Sequence, residues 1–263
     1  MIAGLVACAA LLAAAAPTQA APKDPVRALK AVLAPGHGVH FTETATLLDG
    51  IDTRQERQRT GVFKFGEKGG VKSLDVTTTG GEHGRERAIG FNHVIGGTSY
   101  QSGDLIGKWL RNGKTWWKDA HQLYLHHTAL LGNDEQLINP TEPATLAVLL
   151  KDGQRSGNTV TGTITFKELT KASLWFDHSS HRSWGDDTKL SYTLTLTSAG
   201  LISRVQSMYT PTDGLEELAG KTFHVDTHYS RWGGKVSIKA PDPRKTTTEL
   251  CINGKLCKWR LPS

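Results

Sequence analysis

Residues 189–197 read Lys-Leu-Ser-Tyr-Thr-Leu-Thr-Leu-Thr, an unbroken alternation of polar and apolar side chains. The pattern returns where Val160, Gly162, Ile164 and Phe166 alternate with threonines. It returns again where Phe223, Val225, Thr227 and Tyr229 alternate with His224, Asp226 and His228, and where Val236 and Ile238 alternate with Lys235, Ser237 and Lys239. Side chains in a strand point to opposite faces in turn, so each stretch has one dry face and one wet face. Such strands make an antiparallel sheet solvated on one side. The dry side needs a cover.

Along the chain, Asp24-Pro25 followed by Val26, Leu29, Val32 and Leu33 predicts a short amphipathic helix with Asp24 as its N-cap, ended by Pro35-Gly36. Strands are predicted near 38–48, 57–66 and 70–79, with turns at Asp49-Gly50 and Gly69-Gly70, and two more near 85–92 and 94–101. The stretch from Trp109 through Gly113-Lys114-Thr115-Trp116-Trp117 reads as a loop leading into an irregular aromatic region. A helix over Thr141 to Leu150 puts Leu146, Leu149 and Leu150 on one face. A strand at 159–166, a short helix at 167–173, a hairpin of 188–197 with 201–210 about Ala199-Gly200, and a final pair at 221–231 and 234–240 complete the series. About nine strands and two or three short helices predict one strongly twisted α+β sheet that curls. The helices cover its concave apolar face and leave a cavity, the natural place for an apolar molecule.

The first 22 residues carry no charge, and Leu5 to Ala16 is an alanine-rich apolar run ahead of Pro17-Thr18-Gln19-Ala20-Ala21. That is too short for a membrane span and reads as a secretory signal over residues 1–20, cut after Ala20. The usual basic residue at its start is missing, which leaves room for an initiator farther upstream. Leu5-Val6-Ala7-Cys8 fits the pattern before a lipid-modified cysteine, but only seven residues precede Cys8 and the apolar run continues past it. The expectation is therefore export to the cell envelope or beyond, with anchoring only if Cys8 is lipidated. No linker divides residues 21–241, which are expected to form one domain before a tail at 242–263.

A net charge of +6 admits an acidic partner such as a membrane surface or an envelope protein. Lys and Arg are scattered among Asp and Glu with no dense basic block, so ordinary solubility is the simpler reading. Export speaks against nucleic acid, and no aromatic-interleaved basic motif supports it. Past the signal, Cys251 and Cys257 bracket Ile-Asn-Gly-Lys-Leu. Asn253-Gly254 is a strong tight-turn dipeptide, and in an oxidising compartment the pair is expected to close a hairpin disulfide.

Histidines gather at His121, His126 and His127 and again at His178 and His181. His178 and His181 with Asp177 or Asp186 would suit zinc, yet spacing supplies no third ligand, and no metal or cofactor is expected. Asp186-Asp187 reads as a polar turn rather than an acid/base pair. Ser179 and Ser180 lie beside histidines, but no Gly-x-Ser-x-Gly elbow is present, and no catalytic residue is assigned. Trp109 and Trp116 suit a cavity mouth or a membrane face. Trp116 and Trp117 would point to opposite sides if extended, so one of them suits the core.

The order of several short motifs adds to this. Gly96-Gly97-Thr98-Ser99-Tyr100, Gly113-Lys114-Thr115-Trp116, Thr161-Gly162-Thr163-Ile164-Thr165 and the closing Trp232-Gly233-Gly234-Lys235-Val236-Ser237-Ile238-Lys239-Ala240-Pro241 follow one another after the Asp-Pro helix. Over about residues 24–241 the chain resembles the actinobacterial LolA-like envelope proteins related to the LppX/LprG lipoproteins. The resemblance implies a half-barrel of antiparallel strands with helices over its concave face, holding the acyl chains of lipids or lipoproteins in carrier members. Two departures are the weak lipobox and the cysteine-bearing tail. The expected protein is a monomeric, exported, non-catalytic half-barrel with an apolar ligand in a cavity lined by Leu146, Leu149 and Leu150. One alternative is an envelope-sensing or protein-interaction module. The other is a histidine-dependent enzyme, which needs at least three of the five histidines to converge.

Overall fold

The computed structural model describes residues 24–50, 52–67, 70–80, 84–91, 97–119, 135–213 and 216–251. Twelve strands form one open, curved, mixed sheet, consistent with a half-barrel of the α+β class. In sequence order they are β1 (His37–Asp49), β2 (Asp52–Phe65), β3 (Val71–Gly80), β4 (Glu86–Phe91), β5 (Thr98–Gly103) and β6 (Trp116–Asp119). β7 (Gln154–Ser156), β8 (Thr159–Thr165), β9 (Lys189–Leu196), β10 (Ile202–Tyr209), β11 (Thr222–Lys235) and β12 (Thr246–Thr247) follow. Across the sheet they run β12-β6-β5-β4-β3-β2-β1-β11-β10-β9-β8-β7, antiparallel throughout except for the parallel β12–β6 pair. Both edges are strands of two or three residues, which offer little backbone for another chain to pair with.

Alternation decides what the inner face carries. Val160, Leu194 and Val205 lie in one cross-strand row, and Ile164, Leu190, Tyr209 and Phe223 in another. All are buried. Tyr209 stacks on Phe223 with ring centroids 5.1 Å apart, and Phe166 closes on Phe176 at 4.8 Å. This half of the face is a filled aromatic core.

A roof of short elements covers it. α1 (Pro25–Val32) starts where Asp24 Oδ1 accepts the amides of Val26 and Arg27, and it buries Leu29. α3 (Pro143–Asp152) buries Leu146 and Leu149, and the Tyr192 hydroxyl donates to the Leu149 carbonyl at 2.8 Å. α4 (Phe166–Ala172) opens on a Thr165/Glu168 capping box, and α5 (Leu174–Asp177) carries Trp175 and Phe176 inward. The remaining helix, α2 (Asp104–Gly107), follows β5 in the chain.

Two predicted elements differ. The pair expected at 221–231 and 234–240 is instead the single strand β11, which carries a bulge at Arg231 (φ 55°) and Gly233 (φ 72°). A hairpin there has no free edge to use, because β1 and β10 already occupy both sides of β11. The irregular aromatic region after Gly113 contains strand β6, paired with β5. The chain then leaves β11 as a strap over 236–245 that reaches the far edge of the sheet. Thr115 donates its amide to the Lys245 carbonyl there, and β12 pairs with β6. Six strand spacings of ~4.8 Å separate β11 from β6, about 29 Å, which ten residues span only when nearly extended. Ala240, Pro241 and Pro243 border a groove with the paired Tyr100 and Lys118, so the strap crosses the outer face. Ile89 points outward by alternation yet is 3% exposed, as this cover requires. Residues 242–251 are thus part of the sheet assembly rather than a separate tail.

Two measurements check this packing. Gly61 lies under the Phe41 ring, and a Cβ there would sit 2.6 Å from Phe41 Cζ and 2.9 Å from the Asp75 carbonyl. Gly61→Ala is expected to cost about 1–3 kcal/mol in urea unfolding, because the carbonyl belongs to the neighbouring strand and cannot retreat. On the outer face Arg204 grips Asp226 through Nε (2.8 Å) and a terminal amine, and this holds the carboxyl below its ordinary value. A depressed folded value stabilises above the unfolded carboxylate pKa and is lost as pH falls through the folded one. Asp226→Asn is therefore expected to lower the Tm at neutral pH and to change it little in strong acid.

Candidate functional site

The inner face is not uniformly apolar. The row Thr227, Glu43, Arg59, Thr78 and Glu86 crosses five neighbouring strands from β11 to β4. Arg59 is 2% exposed and Glu43 6%, and they form a direct ion pair. β2 supplies this row because no apolar residue occurs between Asp52 and Thr60, so neither face of its first half can be dry. At the end of the row, burial raises the Glu86 carboxyl above its ordinary value while it accepts the Leu105 amide.

The roof is shaped to this pair. Gln136 donates from Nε2 to the Val205 carbonyl (3.3 Å) and to Thr227 Oγ1 (3.4 Å). Thr227 donates its own hydroxyl to Glu43 Oε2 at 2.8 Å. Trp175 Nε1 donates to the Gln136 carbonyl at 3.2 Å, which joins α5 to the same network. Burial, and then the charge of Glu43, push the Tyr229 phenol well above its usual range, so it stays protonated beside the pair. Glu142 fastens the rest of the roof by accepting Ser173 Oγ (2.5 Å), the Trp175 amide (2.8 Å) and Thr145 Oγ1 (3.0 Å).

Between floor and roof lies a seam walled by Phe41, Phe63, Ile138, Trp175 and Tyr229, with Glu43, Arg59 and Glu135 at its polar end. Its open space is about 10 Å³, room for roughly one water molecule. Among the described residues this seam is narrow, with Ile138 and Trp175 among its walls. The cluster holds the Glu43–Arg59 ion pair, the buried Glu135 side chain, the Gln136 amide and a protonated phenol.

The structure separates the residues singled out from the sequence. Leu146 and Leu149 are buried in the main core and Leu150 packs against it, on α3 rather than at the seam. Trp109 borders a second small cluster of Ile106, Leu110 and Trp117. Trp116 faces outward, half-buried beneath the Arg87 guanidinium at 5.6 Å, while Trp117 fills the core as alternation requires. The three leucines and the two tryptophans do not converge. Cys251 is buried with its amide on the Trp109 carbonyl, and Cys257 lies outside the described residues.

His121, His126 and His127 also lie outside them. His181 is buried, with Nδ1 2.8 Å from Ser179 Oγ, and Ser179 accepts the His181 amide as the cap of a 3₁₀ turn. His178 donates from Nδ1 to the Leu174 carbonyl, and Asp177 pairs with Arg182 at 3.2 Å. Among the described residues no group of three or more His, Cys, Asp or Glu is placed to hold a metal ion. Sequence reading missed Glu43, Arg59 and Gln136. The polar first half of β2 was the available signal for Arg59, and nothing local marked its partners.

No family model matches the sequence, and no curated protein matches it. A solved structure of a DUF1329 family protein from Desulfovibrio piger is similar over 82% of this chain and 96% of that one, at 8% identity and a TM-score of 0.28. A score so low carries no argument, and the half-barrel is read from this chain's own strands. No helix among the described residues is long and apolar enough to cross a membrane.

The buried pair has a measurable signature. Arg59→Met leaves Glu43 buried without its cation and is expected to cost about 3–5 kcal/mol in denaturant unfolding. Replacing both, as Glu43→Leu with Arg59→Met, is expected to cost markedly less, so the double-mutant cycle shows strong coupling.

Proposed function

We propose that this is an exported, non-catalytic cell-envelope protein whose half-barrel takes an apolar ligand, such as a lipid acyl chain, between floor and roof. The observation that carries the reading is how the inner face is covered. Its cover is a set of short helices and the irregular segment 135–141, tied down largely through Gln136 and Glu142. Beneath it runs a seam of aromatic and aliphatic side chains with an imperfect fit. Lifting Ile138 and Trp175 would open an aromatic groove and break a handful of hydrogen bonds, each worth about 1 kcal/mol net. Burying an acyl chain returns about 0.8 kcal/mol per methylene before ordering costs, so a dozen methylenes outweigh the bonds lost. The order of motifs shared with LolA-like envelope proteins supports the same cargo, and the uncharged leader over residues 1–20 supports export. The structural bonds of Ser179 and His181 support a role without chemistry.

The closeness of the seam favours a second reading, an envelope-sensing or protein-interaction module that needs no small molecule. Native mass spectrometry of the purified protein, before and after organic extraction, separates the two. Carriage predicts an added apolar mass that extraction removes and offered lipid restores. A bare chain that stays bare in excess envelope lipid leaves the interaction module.

A further inference from the structure

Between Asp104 and Asp119 the chain carries Lys108, Arg111, Lys114 and Lys118, too widely spaced to read as a basic block in the sequence, together with Trp109, Trp116 and Trp117. The fold sorts this stretch. Asn112 (φ 55°) and Gly113 (φ 67°) turn the chain back on itself. Trp117, Leu110 and Ile106 then go inside as a cluster, with Trp109 and Leu250 half-buried at its rim. Lys108 and Arg111 remain exposed, and Lys114 half so.

The strap brings a second set of cations to the same place. Lys114 donates from Nζ to the Arg244 carbonyl at 3.0 Å, and the Thr115 amide donates to the Lys245 carbonyl at 2.9 Å. Residues 130 positions apart thus share one surface. Asp242, which clamps Arg244, and Glu249 are the acids of the strap here, and Asp104 lies on α2 a turn before Lys108, three carboxylates against six cations. Trp116 lies half-buried on the adjoining outer face beneath Arg87.

We propose that this end of the half-barrel is a docking face for an anionic lipid bilayer. Its charge excess matches a negatively charged surface, and each Lys or Arg near such a surface strengthens binding roughly fivefold. Half-buried tryptophans at the rim suit the headgroup level, where an apolar ring and a polar N–H are both satisfied. The face is independent of the inner seam, so docking holds whether or not the protein carries a guest.

Co-sedimentation of the full chain with vesicles tests it. Binding is expected to vesicles of equal phosphatidylcholine and phosphatidylglycerol, to fall steeply with added salt, and to be weak for phosphatidylcholine alone. Neutralising three cations in Lys108→Gln/Arg111→Gln/Lys114→Gln is expected to weaken it roughly a hundredfold. Neutralising the exposed Lys167, Lys171 and Lys189, elsewhere on the molecule, is expected to matter much less. Equal affinity for neutral and anionic vesicles, or equal loss in the two triple variants, overturns the proposal. Should the first variant fold poorly, quenching of the unmodified protein by brominated lipids decides. The quenching is expected to drop in Trp109→Phe and Trp116→Phe, and quenching unchanged in both overturns the docking face.

Discussion

Arg59 and Glu43 meet in the middle of the inner face, and an ion pair so little exposed persists only under a fitted cover. Withdrawing both charges from water costs several kcal/mol each, which their attraction offsets only when the remaining lone pairs are also met. Thr227 donates to Glu43 Oε2 and itself accepts from Gln136, which belongs to the roof. The roof therefore does more than hide apolar side chains. Its position over the floor is set by a polar contact that tolerates little displacement, and the apolar seam around the pair takes its dimensions from that contact.

The two halves of the inner face consequently differ. Toward β8 the stacked rings of Tyr209 and Phe223, with Phe166 and Phe176, fill the space with their own area. From β11 toward β4, the row through Glu43, Arg59 and Glu86 interrupts the apolar surface. A guest in this half-barrel would enter at the boundary, where aromatic walls meet a polar end. On the opposite face the strap from Val236 to Lys245 joins the middle of the sheet to its far edge. That connection lies against Tyr100 and Lys118 and collects cations that lie far apart in sequence.

Much of the architecture was legible in the chain. The alternation over 189–197 appears as buried Leu190, Tyr192, Leu194 and Leu196, and the turn about Ala199-Gly200 forms with Gly200 at φ 82°. Asp24 caps its helix as the Asp-Pro pattern predicts. Alternation also implied that Trp116 and Trp117 part company, and they do. What alternation leaves open is the identity of neighbours. Residues 234–240 have the composition of a strand, yet β11 already had a partner on each side, so the chain there continued into the strap. The same ignorance of neighbours hid the seam: a polar strand beginning at Asp52 signals a wet face, and only its pairing with β1 turns Arg59 toward Glu43.

By itself the sequence determined the class of fold: period-two alternation in many short segments dictates a sheet with one dry face, and few helical segments remain to cover it. Tertiary structure alone decided how the dry face was closed. Cross-strand register put Glu43 beside Arg59, packing of Ile138 and Trp175 over Phe41 and Phe63 walled a narrow seam, and the strap carried Arg244 to Lys114. Each of these depends on contacts between residues distant along the chain. Local periodicity records the direction in which a side chain points and carries no information about what it meets there.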